Sequence, residues 1–272
     1  NRHYGAARLY LDKGKSYQAV DIDFKSGDRH GCAAMDVDNS GLPDLYCSFG
    51  GGRGLGLGAN QLWIDPGSGE AKLHETVGGV PEPLGRGRVV TFLDADADGK
   101  QDIFLGQQPN RLDGAPSKDR LYRRVGPAAF EPWPWSGLGL GLGTRTVSKG
   151  DVERDGRTDL LITYFDPKAS GVNRGLRLYR NSRNGFRNVT RARGIASIGD
   201  VDAELVRLNR DKRPDLVQLS RGRIRISLQR DGRFRKVYER SISRGVALAY
   251  GDVDGDGDRD LYVLRQKIGL RV

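Results

Sequence analysis

Aspartates recur at a fixed spacing in several short segments that also contain a glycine. In the fullest copy, residues 252–260, carboxylates stand at positions 1, 3, 5 and 9 and a glycine stands at position 6. Carboxylates at this spacing surround one hard cation with oxygen atoms, and the backbone carbonyl at position 7 completes the shell. The glycine permits a sharp turn. The segment is therefore predicted to be a calcium-binding loop.

Four copies carry this ligand pattern. With position 7 counted for its carbonyl, the predicted ligands are Asp36, Asp38, Ser40, Leu42 and Asp44; Asp94, Asp96, Asp98, Lys100 and Asp102; Asp151, Glu153, Asp155, Arg157 and Asp159; and Asp252, Asp254, Asp256, Asp258 and Asp260. An EF-hand would need flanking helices and a glutamate at position 12, whereas these loops lie between short apolar runs. We expect about four structural Ca²⁺ ions, one for each copy.

A fifth copy keeps the spacing but has lost ligands. Arg207 stands at position 1 and Lys212 replaces the turn glycine, while Asn209, Asp211 and Asp215 remain. We expect this loop to bind no metal, with Arg207 or Lys212 supplying the positive charge instead.

Each loop joins two apolar runs of strand length, and a second hairpin follows about 25 residues later. An Arg or Gln, an apolar residue and usually an aromatic residue mark that second hairpin, as at Arg120, Leu121 and Tyr122. Two hairpins per repeat predict a four-stranded antiparallel sheet, which is the unit of a β-propeller blade.

The loops also give the repeat length, because their first positions are 36, 94, 151, 207 and 252, and the first three steps span 56 to 58 residues. Counting from 252 through residue 272 and on from residue 1 to 36 gives 56 positions again. We therefore expect a single all-β domain over 1–272, a five-bladed propeller whose last blade combines the two terminal hairpins. The alternative is a fragment of a seven-bladed propeller. The predicted blades are 27–78, 85–134, 144–190, 199–239, and 244–272 together with 1–24.

The repeat resembles the FG-GAP or VCBS family, which includes the propellers of integrin alpha chains. The residues that carry the closest resemblance, to the branch of ASPIC/UnbV proteins and cartilage acidic protein, are Leu178 to Asn181, Gly185-Phe186, Val189-Thr190 and Gly194-Ile195. The resemblance implies a propeller with calcium loops. It leaves function open, because such domains serve as adhesion modules, lectin-like binders and appendages of enzymes. The chain departs from the family in its degenerate fourth loop, its five expected blades and the lack of a segment matching the ASPIC/UnbV C-terminal module.

Composition points to an exported, cationic protein. The formal charge is +10, and four bound Ca²⁺ ions would raise it to about +18. Such a surface suits an anionic partner, although solubility or an arginine-rich genome would also explain it. No apolar run reaches the length of a membrane span. Cys32 and Cys47 lie on the two strands of one hairpin, and they form either a cross-strand disulfide or two free thiols.

Other chemistry-bearing residues are predicted at the strand ends opposite the calcium loops. Ligand-binding candidates there are Arg29, Arg53, Arg88, Trp133, Trp135, Arg145 and Arg244. Candidates for acid–base or oxyanion chemistry are His3, His30, Arg88 and Arg145. Tryptophans that wedge between blades and surface histidines are the plainer explanations.

The sequence thus favours a secreted, monomeric, calcium-stabilised binding module for a glycan, a protein or another anionic ligand, placed in the periplasm if the source is bacterial. The alternative is a lyase or hydrolase acting on an acidic or sugar-like substrate. No nucleophile elbow, paired catalytic carboxylates or zinc spacing supports that alternative. Nucleic-acid binding rests on charge alone, without a known motif.

Overall fold

The computed structural model describes residues 8–12, 14–19, 28–50, 59–65, 74–76, 85–108, 118–138, 141–166, 173–209, 211–255 and 260–266. All regular secondary structure in these ranges is β-strand, which confirms the all-β prediction. Nowhere in them is there a helix with the length and apolar character needed to cross a bilayer. The chain divides into two compact units, Asn1–Gly143 and Thr144–Val272.

Among its described residues, the first unit holds three antiparallel sheets, ordered β1-β2, β3-β4-β5-β6 and β7-β8-β9-β10. Its strands are β1 (Tyr10–Asp12), β2 (Tyr17–Ala19), β3 (Arg29–Met35), β4 (Asp44–Phe49), β5 (Gln61–Ile64), β6 (His74–Thr76), β7 (Gly87–Leu93), β8 (Asp102–Gln107), β9 (Arg120–Gly126) and β10 (Ala129–Pro132).

The second unit repeats this plan with sheets β11-β12-β13-β14, β15-β16-β17-β18 and β19-β20. Its strands are β11 (Thr144–Gly150), β12 (Asp159–Asp166), β13 (Asn173–Ser182), β14 (Gly185–Asn188), β15 (Asp200–Val206), β16 (Asp215–Ser220), β17 (Arg223–Arg230), β18 (Arg233–Ser241), β19 (Gly245–Gly251) and β20 (Asp260–Arg265).

Burial explains why these segments stack as sheets. The second strands β8 and β16 are buried along their whole length, whereas the outer strand β18 is exposed except at Phe234. A strand whose two faces are both apolar must be covered on both sides, so each sheet packs between neighbours. The inner strands therefore supply the core and the outer strands face solvent.

Neighbouring sheets within each unit pack face to face, with β7 beside β3 in the first unit and β15 beside β11 and β19 in the second. One core of the first unit comprises Val37, Tyr46, Leu62, Val90, Phe92, Ile103, Leu105 and Tyr122. Two cores of the second unit flank β15 to β18, one built around Leu161, Leu178 and Leu216 and the other around Val217, Leu219 and Ile224. Sheets stacked in this way are the blades of a β-propeller.

A β-bulge recurs at the same place in five hairpins. Pairing of the first two strands shifts between Arg29 and Gly31, Gly87 and Val89, Thr144 and Thr146, Asp200 and Asp202, and Gly245 and Ala247. The residues that the shift leaves between these partners are His30, Arg88, Arg145, Val201 and Val246. Each lies six positions before the first residue of its loop, so the repeat extends to all five copies.

The terminal hairpins β1-β2 and β19-β20 each form a two-stranded sheet. Their combination into one blade, the count of five blades and the single-domain boundaries remain predictions. The cysteine prediction is resolved: Cys32 on β3 and Cys47 on β4 are directly paired and joined by a disulfide, with Cα atoms 4.1 Å apart.

Candidate metal centres and the opposite strand ends

The carboxylate at position 1 shapes the backbone of three loops. Its two oxygens accept hydrogen bonds from the N–H groups of positions 5 and 6: Ser40 and Gly41 to Asp36 at 3.0 and 2.8 Å, Asp98 and Gly99 to Asp94 at 3.1 and 3.0 Å, and Asp155 and Gly156 to Asp151 at 3.0 and 2.9 Å. Gly41, Gly99 and Gly156 have φ values of +85°, +85° and +80°, which confirms the turn predicted at position 6.

The aspartate at position 9 has a different, more deeply buried role. One oxygen accepts the N–H of position 2 and the other accepts an N–H of the third strand or the residue after it. The pairs are Val37 and Asp65 to Asp44 at 2.7 and 2.9 Å, Ala95 and Arg124 to Asp102 at 2.9 and 2.8 Å, Val152 and Asn181 to Asp159 at 2.8 and 2.7 Å, and Leu208 and Gln229 to Asp215 at 3.1 and 2.8 Å. Position 9 therefore links the loop to the sheet, a role that the sequence did not suggest.

Three of the four predicted loops gather carboxylates closely enough for one ion. The clusters are Asp36, Asp38 and Asp44; Asp94, Asp96 and Asp102; and Asp252, Asp254 and Asp260, and within each cluster one oxygen per residue lies within 4.8 Å of the others. Oxygens on opposite sides of a Ca²⁺ ion with bonds of about 2.4 Å are about 4.8 Å apart. The donor set therefore fits calcium. Asp256 and Asp258 lie outside the described residues.

Electrostatics within these clusters also favours a cation. Burial raises the pKa of Asp102 to about 6; N–H bonds from Arg124 and Ala95 lower it, and the charges of Asp96 and Asp98 raise it. Burial and nearby carboxylates likewise raise the pKa of Asp44, despite two backbone hydrogen bonds. A bound cation would relieve the repulsion at both sites.

The loop at residues 151–159 differs because arginines form ion pairs with two of its acidic side chains. Glu153 pairs with Arg193 and lies 3.7 Å from Arg180, which is also 3.4 Å from Asp155. The pKa of Asp159 is raised to about 8, chiefly by burial and also by the charge and hydrogen bond of Glu153, although the N–H groups of Asn181 and Val152 lower it. This loop is absent from the three-carboxylate clusters found among the described residues.

The degenerate loop at 207–215 keeps much of the same scaffold. Asn209 accepts the N–H of Asp211, which in turn accepts the N–H of Arg213, both at 2.9 Å. Lys212 has φ +61° where the other loops have glycine. The described part of this loop is not among the carboxylate clusters, and its lack of a bound metal remains a prediction.

At the other ends of the strands, the structure brings His30 and Arg88 together. His30 Nε2 lies 2.8 Å from Asp28 Oδ1, and its Nδ1 contacts the guanidinium of Arg88. The side chains of His30 and Asp28 are both only 7% exposed. Both ring nitrogens are occupied, so this group holds β3 to β7 and has no free nitrogen for acid–base chemistry. His3 lies outside the described residues.

Several ligand-binding candidates already have partners within the fold. Arg29 donates to Gln61 at 2.7 Å and stacks on Trp63 at 5.3 Å, and Arg123 stacks on Trp133 at 5.5 Å. Trp135 is 86% exposed, Arg244 is exposed, and Arg53 lies outside the described residues.

Arg145 lies near two other arginines, and the sequence pattern does not predict this grouping. Burial lowers the pKa of Arg145; the charge of Asp202 raises it and that of Arg221 lowers it. Arg221 and Arg174 border the same cavity. The three lie far apart in sequence, and only the folded sheets bring them together.

Antiparallel four-stranded sheets whose first hairpins turn through acidic nine-residue loops define a β-propeller repeat protein. Residues 94–162 and 207–263 match the family described as FG-GAP-like repeat, which supports the resemblance to FG-GAP repeats predicted from the sequence. The closer assignment to the ASPIC/UnbV branch remains a prediction.

One solved structure supports the fold independently. The crystal structure of the major Malassezia sympodialis allergen Mala s 1 has a TM-score of 0.53 and 13% sequence identity, covering 97% of this chain and 81% of that chain. A likeness at this identity concerns the fold alone. No curated protein matches the chain by sequence.

Proposed function

We propose that this protein is a calcium-stabilised recognition module that binds an anionic ligand at the strand ends opposite its acidic loops. The observation that carries the proposal is the convergence of three carboxylates at the same point of three repeats. Like charges held this close favour a compensating cation. Oxygen-only donors at this spacing favour calcium over transition metals.

The ion would act as a structural link. Positions 1, 3 and 5 belong to the turn, whereas position 9 is tied by two hydrogen bonds to its own loop and to the third strand. Calcium shared among them fastens the turn to the sheet, and any ion that binds only the folded chain stabilises it. The loop at 151–159 should bind most weakly, because an ion there must displace Arg193 and Arg180 from Glu153.

The disulfide supports an extracellular or periplasmic setting. Cys32–Cys47 clamps the strands that flank the loop at 36–44. Disulfides persist in oxidising compartments. Extracellular calcium-binding modules work at dissociation constants of about 10⁻⁴–10⁻³ M, so such loops would be occupied there.

The proposed binding of an anion at the strand ends opposite the acidic loops is argued from charge. The chain has a formal charge of +10, although many of its carboxylates belong to the acidic loops. Positive charge that is not neutralised locally attracts anions and raises their rate of association. Because His30 is held between Asp28 and Arg88, the geometry favours binding over catalysis.

Thermal unfolding in calcium, magnesium and EDTA tests the structural role of the ion. We expect EDTA to lower Tm markedly, calcium to restore it and magnesium to restore it less. Asp94→Asn should remove part of the calcium response and one ion from the titrated stoichiometry. Asp211→Asn, the same change in the degenerate loop, should alter neither. An unchanged Tm in EDTA would refute the structural role of calcium.

A further inference from the structure

A cavity of about 590 Å³ lies in the second unit, at the strand ends opposite its acidic loops. It is bordered by Arg174 at the start of β13, by the segment before β15 and by the β16–β17 turn. The lining residues are Arg174, Ile198, Gly199, Ser220, Arg221, Gly222 and Arg223. Its volume falls in the range of about 300–1,000 Å³ that is typical of small-ligand sites.

The positive charge around this cavity is only partly neutralised. Within the described structure, the buried Nε atoms of Arg174 and Arg145 have no hydrogen-bond partner. Burial lowers the pKa of Arg174, and the charges of Arg221 and Arg145 lower it further. Buried donors without acceptors are costly, and the charge of the exposed Arg221 adds to these two buried groups, so the cluster favours an anion.

Three nearby carboxylates already interact with other groups. Glu239 accepts from Arg225 at 2.6 Å and from Arg223 at 3.4 Å, which accounts for one cavity arginine. Asp200 is fully buried and accepts hydrogen bonds from the Ser197 hydroxyl and the Gln218 amide. The negative charge of Asp202 stabilises the positive charge of Arg145. Arg174 and Arg221 are therefore the cations that remain for a ligand.

Internal hydrogen bonds support the backbone of the cavity walls. Asp200 accepts the N–H of Ile198 at 3.2 Å, and Ser197 Oγ accepts that of Gly199 at 3.2 Å. On the opposite wall Ser220 Oγ accepts the N–H groups of Gly222 and Arg223 at 3.2 and 3.0 Å. Because these backbone donors are used internally, recognition falls to the guanidinium groups, whose planar forks suit oxyanions.

We propose that this cavity binds the sulfate or carboxylate groups of an acidic polysaccharide through Arg174 and Arg221, with Arg145 adding positive charge behind them. The inference deepens the proposed recognition function and rests on it. A single-stranded nucleic acid fits less well, because such strands stack their bases on aromatic side chains and none lines the cavity.

The test is calorimetric titration of the calcium-loaded protein with a heparin-derived tetrasaccharide at fixed ionic strength. We expect Arg174→Gln with Arg221→Gln to weaken binding about tenfold or more, since each charge-assisted hydrogen bond contributes strongly. Arg174→Lys should give an intermediate loss, because it keeps the charge and loses the fork. The matched control is Arg183→Gln with Arg230→Gln, two exposed arginines at the acidic-loop ends of the same sheets.

Each of the other possible outcomes would overturn a different part of the proposal. Equal losses in the two double variants would mean diffuse surface attraction, and no loss in either would place the ligand elsewhere; both overturn the cavity and leave the recognition function standing. Tighter binding of an oligothymidylate than of the tetrasaccharide would overturn the polysaccharide class. Wild-type protein that binds neither probe would overturn anionic recognition as well, whereas the calcium response is decided separately by Tm.

Discussion

The loops at residues 94–102 and 207–215 join the same two strands of their repeats, yet only the first gathers three carboxylates. Both keep the aspartate at position 9, with both oxygens bonded to backbone N–H groups. Position 1 has changed from Asp94 to Arg207. The comparison points to two roles: position 9 ties the loop to the sheet in both copies, whereas the carboxylates at positions 1 and 3 that would join it around the proposed cation are present only in the first.

The largest expected effect is at position 9 of the loop that lacks the metal cluster. Asp215→Ala should lower the free energy of unfolding by about 3 kcal/mol, because the N–H groups of Leu208 and Gln229 lose their acceptor. Urea unfolding should give the same loss in calcium and in EDTA. Asp211→Ala, in the exposed part of the loop, should cost under about 1 kcal/mol. A loss at Asp215 that depended on calcium would contradict the separation of roles.

Rebuilding the degenerate loop should add a metal site. Arg207→Asp, Asn209→Asp and Lys212→Gly together restore the ligand pattern, and one further Ca²⁺ ion should bind in calorimetric titration. At a calcium concentration of about 100 Kd, that ion would stabilise the fold by about 2.7 kcal/mol. Arg207→Ala with Lys212→Gly removes the same cations without adding carboxylates, so it should gain no ion. If it did, charge alone would explain binding.

A half-buried acid outside the loops should respond to pH and not to calcium. Burial raises the pKa of Glu204 from 4.5 to about 7; a hydrogen bond with Ser148 lowers it, and the charge of Asp202 raises it. The folded state thus holds a proton that the unfolded chain releases, so stability falls as pH rises from about 4.5 through 7. Glu204→Gln should stabilise the protein by about 2 kcal/mol at pH 8 and hardly at all below pH 4.5. The same gain at both pH values would rule out the titration.

The smallest effect concerns the backbone at position 6. Lys212→Gly should stabilise the protein by about 1 kcal/mol or less, because φ +61° is unfavourable for a residue with a Cβ, while glycine adds flexibility to the unfolded chain. The converse change, Gly99→Ala, meets no atom within 4 Å of the added Cβ, so its cost in EDTA reports the φ of +85° alone. Equal stability of Gly99→Ala and wild type would show that the turn does not need glycine.

The sequence predicts the loops, the hairpins and the possible disulfide. The spacing of Asp94 to Asp102 predicts the turn, and the paired strand positions of Cys32 and Cys47 allow the disulfide that the structure contains. The ion pairs of Glu153 and the meeting of Arg174 with Arg221 depend on which sheets stack together. The residue type of His30 and its place at the strand ends opposite the calcium loops make it a candidate base, but its contacts with Asp28 and Arg88 depend on the packing of two strands. Local pattern thus predicts hairpins and loops, but not contacts between sheets.

The repeated bulge gives each of the five hairpins one position, here called the slot, whose residue type can vary. A bulged residue takes no part in the regular ladder, so its side chain can change with little effect on strand pairing. The chain already places an imidazole, two guanidinium groups and two valines at that slot, in His30, Arg88, Arg145, Val201 and Val246. A designer who wished to install a new side chain beside the innermost strands could begin at Val246, which is 37% exposed, and leave the hydrogen-bond register of its hairpin intact.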